Sequence, residues 1–518
     1  MGFALHAANV KSGKAMRHLT TIAAVCVLSV FAGTSNAAPR DLAPIVLPTP
    51  AAPGTVVQPF VRVDAPVVAL MHVRVIDGTG SPARANQTVV IEHGKIAAVG
   101  ADGLAIPVDA KRIDLSGHTV FPGLVGMHDH LFYIARPNLG EQGGKLHSDP
   151  PLIVPEMTFS APRLYLANGV TTLRTTGSVE PYTDLNLKHA IDAGKLPGPH
   201  LDVTGPYLEG ADSPFIQMHF LRGPEDAKET VAFWAKQGVT SFKAYMNITR
   251  AELKAAVDEA HRLGLKITGH LCAVTYREAA AIGIDDLEHG FFVNTEHDPN
   301  KKPDQCSESD GLDTLYTMDP TGSEARSLIK DLVAHHVAVT STLPVFEQMV
   351  PQHSPLWPKA MATLSPQAKH DYLLLRERTN ALPPDQSQKR AVTFQHGMAM
   401  EREFAAAGGL LLAGPDPTGN GGVVPGFGDL REVELLVEEG FTPEQAIHIA
   451  SYNGALYLGL QDRIGSIAAG KDADLVVVKG DPSHHINDIE NVETVFKDGV
   501  GYDTQALLES VAGRYGEY

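Results

Sequence analysis

His128 and His130 stand one residue apart, directly after an apolar, strand-like run over 119–125 that Pro122 and Gly123 interrupt. On an extended strand, side chains two positions apart share a face, so both imidazoles are presented together. Neutral imidazole binds zinc and its neighbours at about 2.0–2.1 Å, so the pair amounts to half a metal site. Four more groups fall at comparable places. Lys243 lies inside the apolar run 241–246, His270 closes 266–269, His289 closes 286–288, and Asp416 follows 410–413. An amine within an apolar strand is unfavourable unless it is neutralised or paired, so Lys243 asks for an explanation. Singly, each has an ordinary reading: a satisfied core histidine, a snorkelling lysine stem, a turn aspartate. Their recurrence at successive strand ends is hard to obtain from packing alone.

The elements that must position them alternate. Strand-like runs at 120–125, 171–174, 200–204, 241–245, 266–269, 286–288, 337–342 and 410–413 are separated by helical stretches, among them 224–237, 249–263, 432–439 and 443–451. Eight such repeats predict an α/β fold, a (β/α)8 TIM barrel whose chemistry sits where strands end on the C-terminal face. An open doubly wound sheet is the alternative, but no Gly-rich dinucleotide turn opens the first crossover. The flanks read differently. Short β-branched runs at 73–80, 88–100 and 111–114 return in kind at 473–479 and 492–499, with a hairpin turn at His93-Gly94. They predict a small β-sandwich domain built from both ends of the chain. The stretch 344–396 is too long for an ordinary connection and reads as a lid, or else a surface excursion or oligomer contact.

The resulting division is a signal peptide over 1–37, a Pro/Ala-rich linker over 38–65, sandwich strands over 66–122, the barrel over 123–461, further sandwich strands over 462–505, and a tail over 506–518. The leader combines Lys11, Lys14 and Arg17 with the apolar run 19–31 and small residues to Ala37. It predicts export to the periplasm or beyond, with Met16 as an alternative start. The apolar run is short of the roughly 20 residues of a membrane span, so no stable span is expected after cleavage; a retained anchor is the alternative. With 42 Lys and Arg against 60 Asp and Glu, the net charge of −18 argues against nucleic acid and leaves a small molecule as the expected partner. A homo-oligomer is compatible with the sequence. Cleavage would leave Cys272 and Cys306, as one disulfide, a thiol near the site or small buried residues.

The motif 122–130, the Lys243 strand, His270, Glu288-His289-Gly290, Asp416 and the closing runs 442–447, 450–455 and 465–475 resemble the amidohydrolase superfamily. The resemblance is to its binuclear, carboxylated-lysine subgroup, in the imidazolonepropionase-like and prolidase-like branch. It implies that His128, His130 and Asp416 hold one divalent ion, that His270 and His289 hold a second, and that Lys243, as its CO2-derived carbamate, bridges the two. Zinc is the metal it suggests. It further implies attack of a metal-bridging hydroxide on the amide carbon of a dipeptide or N-acyl amino acid, with Asp416 carrying the proton to the leaving nitrogen. A cyclic-amide or lactone hydrolase on the same metals, and a non-catalytic barrel scaffold, are the alternatives; one-metal deamination does without the lysine. Gly126, where many relatives carry an acid, and Pro417 depart from the pattern without removing a ligand.

For substrate contacts two residues stand out. Tyr245 follows Lys243 by two, on the same face. Arg174 ends the second strand, placed either for a substrate carboxylate or for an acidic neighbour. Tyr207, His219 and His353 are weaker candidates, and His335, His336, His396, His484 and His485 fall away from strand ends.

Overall fold

A computed structural model describes residues 45–517, except 102, 143–144, 149–151, 212, 214 and 308–310; the predicted leader lies outside the described residues. The two ends of the chain share one sheet. Its strands run in the order Val61–Val63, Val500–Asp503, Val492–Lys497, Leu475–Lys479, His118–Pro122, Val67–Val75, Arg84–Glu92 and Lys95–Ala101, with Lys111–Asp114 beside Val67–Val75. The seam between the two ends is antiparallel, with Val120 opposite Val477. Leu70, Val73, Val89, Ile91, Val120, Leu475, Val477 and Phe496 fill one core across it. Each such side chain contributes about 1.5–3 kcal/mol on burial, so neither end would keep this sheet alone. The hairpin turn is as read: His93 and Gly94 both take positive φ, 49° and 80°, as a tight two-residue turn requires.

At Gly123 the chain leaves this sheet. The run 120–125, read as one strand, is two: His118–Pro122 pairs with Leu475–Lys479, and Leu124–Gly126 pairs in parallel with Val170–Arg174. A Cβ at Gly123 would lie 2.1 Å from Thr171 Oγ1, so only glycine permits the crossing. We number the parallel strands β1 (Leu124–Gly126), β2 (Val170–Arg174), β3 (His200–Asp202), β4 (Ser241–Ala244), β5 (Lys266–Gly269), β6 (Asp286–Glu288), β7 (Ala338–Ser341) and β8 (Leu411–Ala413). Pairing runs β3-β2-β1 in one sheet and β4 to β8 in order in another, which also takes in Leu208–Glu209 and His219–Phe220. Between the sheets, Thr204 bridges Ser241, and the Met127 amide donates to the Ala413 carbonyl over 2.9 Å.

The crossover helices follow from local chemistry. Pro224–Gln237 starts with proline in its first turn and stops at Gly238, whose φ is 105°. Arg250–Arg262 is opened by a capping box between Thr249 and Glu252. It buries Leu253, Ala256, Val257 and Ala260, the spacing of a single helical face. Among the described residues no helix is long and apolar enough to cross a membrane.

Three boundaries differ from the reading. Residues 45–65 do not hang free as a linker: Gly54 donates to the Gly194 carbonyl, and Val61–Val63 pairs with Val500–Asp503, using backbone groups that composition does not reveal. The final residues are not a loose tail either. Tyr515 is fully buried, packs edge-on against Tyr133 and donates to the Phe132 carbonyl. Within 344–396, the first part forms the helices Leu343–Glu347, Pro358–Thr363 and Pro366–Asn380, but the rest belongs to Pro384–Ala406, an ordinary crossover helix leading to β8.

Candidate metal centre

The six singled-out side chains come from five strands. His128 and His130 follow β1, Lys243 is inside β4, His270 follows β5, His289 follows β6 and Asp416 follows β8. They meet. Lys243 Nζ lies 3.0 Å from His128 Nε2, and Asp416 Oδ1 lies 3.2 Å from His130 Nε2 and 3.7 Å from His128 Nε2. The His289 ring centroid is 4.6 Å from that of His128 and 4.4 Å from that of His270. Ligand atoms of His128, His130 and Asp416 all lie within 4.8 Å of one another, close enough to share one ion. A Cβ at Gly414 would meet the His128 nitrogen at 2.2 Å, so glycine after β8 lets the two strand ends converge.

Two of these positions carry backbone strain. His289 and Asp416 have φ of 70° and 49°, a region that non-glycine residues rarely occupy. Such strain of order 1–3 kcal/mol per residue persists only where the surroundings impose it. Here it accompanies the turning of both side chains towards the cluster.

Burial sets the electrostatics. It drives the imidazoles of His128 and His289 well below their usual range and His270 to about 3, favouring the neutral form that coordinates metal. Desolvation lowers Lys243 to about 8 against the pull of Glu288 and Asp416, so its uncharged amine is far more populated near neutral pH than that of an ordinary lysine. Burial alone would raise Asp416, but His128, His130 and Lys243 around it hold it below the usual carboxylate range.

Three of the four histidines have Nδ1 tied down. His128 Nδ1 lies 2.6 Å from Glu288 Oε2, His130 Nδ1 3.0 Å from the Thr175 carbonyl and His289 Nδ1 2.9 Å from Thr342 Oγ1. Carboxylate and carbonyl only accept, so His128 and His130 each donate from Nδ1 and keep a lone pair on Nε2, facing the cluster. Residues 119–501 match the family model described as the amidohydrolase family. The chain belongs to the amidohydrolase family.

Similarity to individual relatives is more distant. A 5-methylthioadenosine/S-adenosylhomocysteine deaminase of Moorella thermoacetica is 34% identical over 103 residues, which is 18% of this chain and 24% of the relative, so the match spans about a quarter of that protein. The fold is shared with a solved Xaa-Pro dipeptidase with methionine bound in its active site, at TM-score 0.61 and 22% identity over 84% of this chain and 100% of that one. It is also shared with the bottromycin amidohydrolase, at TM-score 0.62 and 20% identity over 88% and 94%.

In this amidohydrolase, the cluster forms one side of a cavity of about 170 Å³. Tyr245 lines it with its ring 4.9 Å from His270, as does Tyr207, 5.1 Å from Tyr245. Val345, Phe346 and Met349 come from the insertion, so the part read as a lid does reach the cavity. Arg174 does not take the carboxylate-binding place. Its guanidinium is fully buried and donates to Asp286 at 2.7 Å, Glu288 at 2.9 Å and the Met127 carbonyl. The acidic-neighbour alternative describes it: a strand residue at that position faces inward, onto the carboxylates of β6. His219 contacts Thr230 and Asp226, and His353 contacts Glu347 and Glu438, both away from the cavity lining. Cys272 is not a thiol beside the site, being disulfide-bonded to Cys306 with Cα atoms 4.7 Å apart.

Sequence reasoning missed Glu288 and Thr342 as ring-orienting groups, and Arg136 on the cavity wall. Glu288 had a signal, a carboxylate inside a buried strand beside a ligand-type histidine. Arg136 lies in a loop whose course no periodicity reports, and Thr342, read as the end of the run 337–342, falls just past β7. Gly126 has a local reason: a Cβ there would lie 1.8 Å from Asp129 Oδ2, so the buried Asp129 carboxylate fills the space an acidic side chain would need.

Proposed function

We propose that this amidohydrolase holds two divalent ions, zinc by preference, and hydrolyses the carbon–nitrogen bond of a small amide, a dipeptide or an N-acyl amino acid. His128, His130 and Asp416 would hold one ion, His270 and His289 the other, and Lys243, as its carbamate, would serve both. The carrying observation is Lys243: a fully buried amine 3.0 Å from His128 Nε2, with its pKa lowered to about 8, suits carbamylation, which needs the uncharged amine. The donors fit such ions, since the imidazoles are held neutral and the carboxylate charged. His270 and His289 lack a third protein carboxylate, and the carbamate supplies that negative oxygen. Bound there, the ions would polarise the amide carbonyl and make water nucleophilic at neutral pH.

The protein's own groups carry the proton. Asp416, held as the carboxylate, takes a proton from the attacking water as its oxygen bonds to the acyl carbon. It delivers that proton to the nitrogen as the C–N bond breaks, releasing a carboxylate and an amine. Glu288 and the Thr175 carbonyl keep His128 and His130 aimed. The fold relatives bearing dipeptidase and amidohydrolase names support the substrate class.

The eight parallel strands are read as a (β/α)8 barrel, with the shared sheet as a sandwich-like second domain. Export by the leader is supported by the Cys272–Cys306 disulfide, a bond that persists in oxidising compartments. The deciding experiment is a panel of dipeptides, N-acyl amino acids, cyclic imides and lactones, assayed with defined zinc loading. Turnover of linear amides supports the reading, and turnover confined to cyclic substrates contradicts it.

A further inference from the structure

Beside the metal-ligand candidates the cavity wall is apolar and aromatic. Phe132, Ile134, Phe215, Met218, Tyr207 and Tyr245 form one packed cluster along it. Arg136 is set into this wall. Its guanidinium lies over the Phe215 ring at 5.1 Å from the centroid, while its Nε is buried and has no hydrogen-bond partner. Among the described residues, no carboxylate pairs with it.

Arg174 is paired with Asp286 and Glu288, and Arg431 with Glu347. Arg163 shares the stacking on phenylalanine and the unpartnered Nε, but its Nη1 donates to the Phe159 carbonyl and it is not part of the cavity lining, whereas Arg136 is. Arg136 is only half-buried, but its Nε is closed off from water and no acceptor in the protein restores the hydration lost there. Its planar fork is the shape that receives a carboxylate in two parallel hydrogen bonds.

Position supports the same reading. Contacts run from Arg136 to Phe215, from Phe215 to Tyr245 at 6.5 Å, and from Tyr245 to the metal-ligand candidate His270 at 4.9 Å. Arg136 therefore lies a few side chains from the cluster, along the wall that a substrate would follow. Among the described residues, the one carboxylate lining the cavity is Asp416, which belongs to the cluster. At about 170 Å³ the space suits a substrate of dipeptide size.

We infer that Arg136 is the docking group for the free α-carboxylate of the substrate's leaving amino acid, and that the aromatic wall receives an apolar side chain beside it. This rests on the hydrolase reading above and narrows it: peptides extended or blocked at the C-terminus, and lactones without a carboxylate, lack the group that Arg136 binds.

The test compares an N-acetyl or aminoacyl derivative of an apolar amino acid with its C-terminal amide, which keeps the scissile bond and removes the anion. In the zinc-loaded wild-type protein, kcat/KM for the acid exceeds that for the amide by about 10- to 100-fold, the range of a charge-assisted hydrogen bond, mainly through KM. In Arg136→Met that ratio falls towards 1, and Arg136→Lys restores part of it. Equal wild-type rates for acid and amide overturn the assignment, as does a ratio that Arg136→Met leaves intact. If neither is turned over, the hydrolase reading fails, and calorimetric binding of the same acid and amide judges Arg136 separately. Acid-selective binding lost in Arg136→Met upholds it, and equal binding of both compounds overturns it.

Discussion

Glu288 Oε2 lies 2.6 Å from His128 Nδ1, while its other oxygen meets Arg174 Nη2 at 2.9 Å. One carboxylate on β6 thus both holds the ring of His128, just past β1, and neutralises an arginine of β2. The ends of three strands are coupled through a single side chain.

Glu288→Gln keeps the shape but removes the charge, and Asp286 remains to pair with Arg174. Loss of such an outer partner commonly weakens metal affinity about 10–100-fold. We expect that loss in zinc titrations monitored with a competing chelator, with far-ultraviolet circular dichroism unchanged. Wild-type affinity in the variant would remove Glu288 from its aiming role.

The Cys272–Cys306 disulfide closes a loop with a sequence separation of 34. Cross-linking a loop of that length stabilises by about 2–4 kcal/mol, chiefly by restricting the unfolded chain. Cys306→Ser should lose stability of this order in denaturant unfolding under non-oxidising handling, and reductant should then have no further effect. A variant as stable as wild type would show that the bond contributes nothing.

His353 fastens the insertion to the helix Phe427–Glu439. It contacts Glu347 at 2.7 Å and Glu438 at 3.0 Å, and these hydrogen bonds raise its imidazole to about 9. The folded state therefore binds this proton more tightly than the unfolded chain, whose imidazole titrates near the ordinary value of about 6.5. Its contribution is full below that value and fades as pH rises through about 9. The difference in Tm between wild type and His353→Gln should be larger at pH 6 than at pH 9.5; an equal difference at both would mean that the proton is not involved.

Legibility in the sequence followed physical range. Lys243, His270, His289 and Asp416 were visible because short strands put chemistry at their ends in a fixed order, and the Thr249 capping box announces its helix locally. The direction of Arg174 was not, because a strand residue's choice between cavity and interior depends on carboxylates 112 and 114 positions away. Pro122 and Gly123 mark a break in the run 119–125, but that its two halves join different sheets depends on their partners Leu475–Lys479 and Val170–Arg174, which lie far along the chain. Residues 45–65 and Tyr515 are held by backbone pairing and aromatic packing against distant segments, which composition does not encode.

If Lys243 brings two ions together with the five other side chains, the metal stoichiometry of protein loaded with zinc in bicarbonate and then desalted reads it out. About two equivalents per chain are expected in the wild type, with loss of the pair in Lys243→Ala, as a bridging ligand requires. Two equivalents retained by Lys243→Ala, or none by the wild type after loading, would contradict the bridging role.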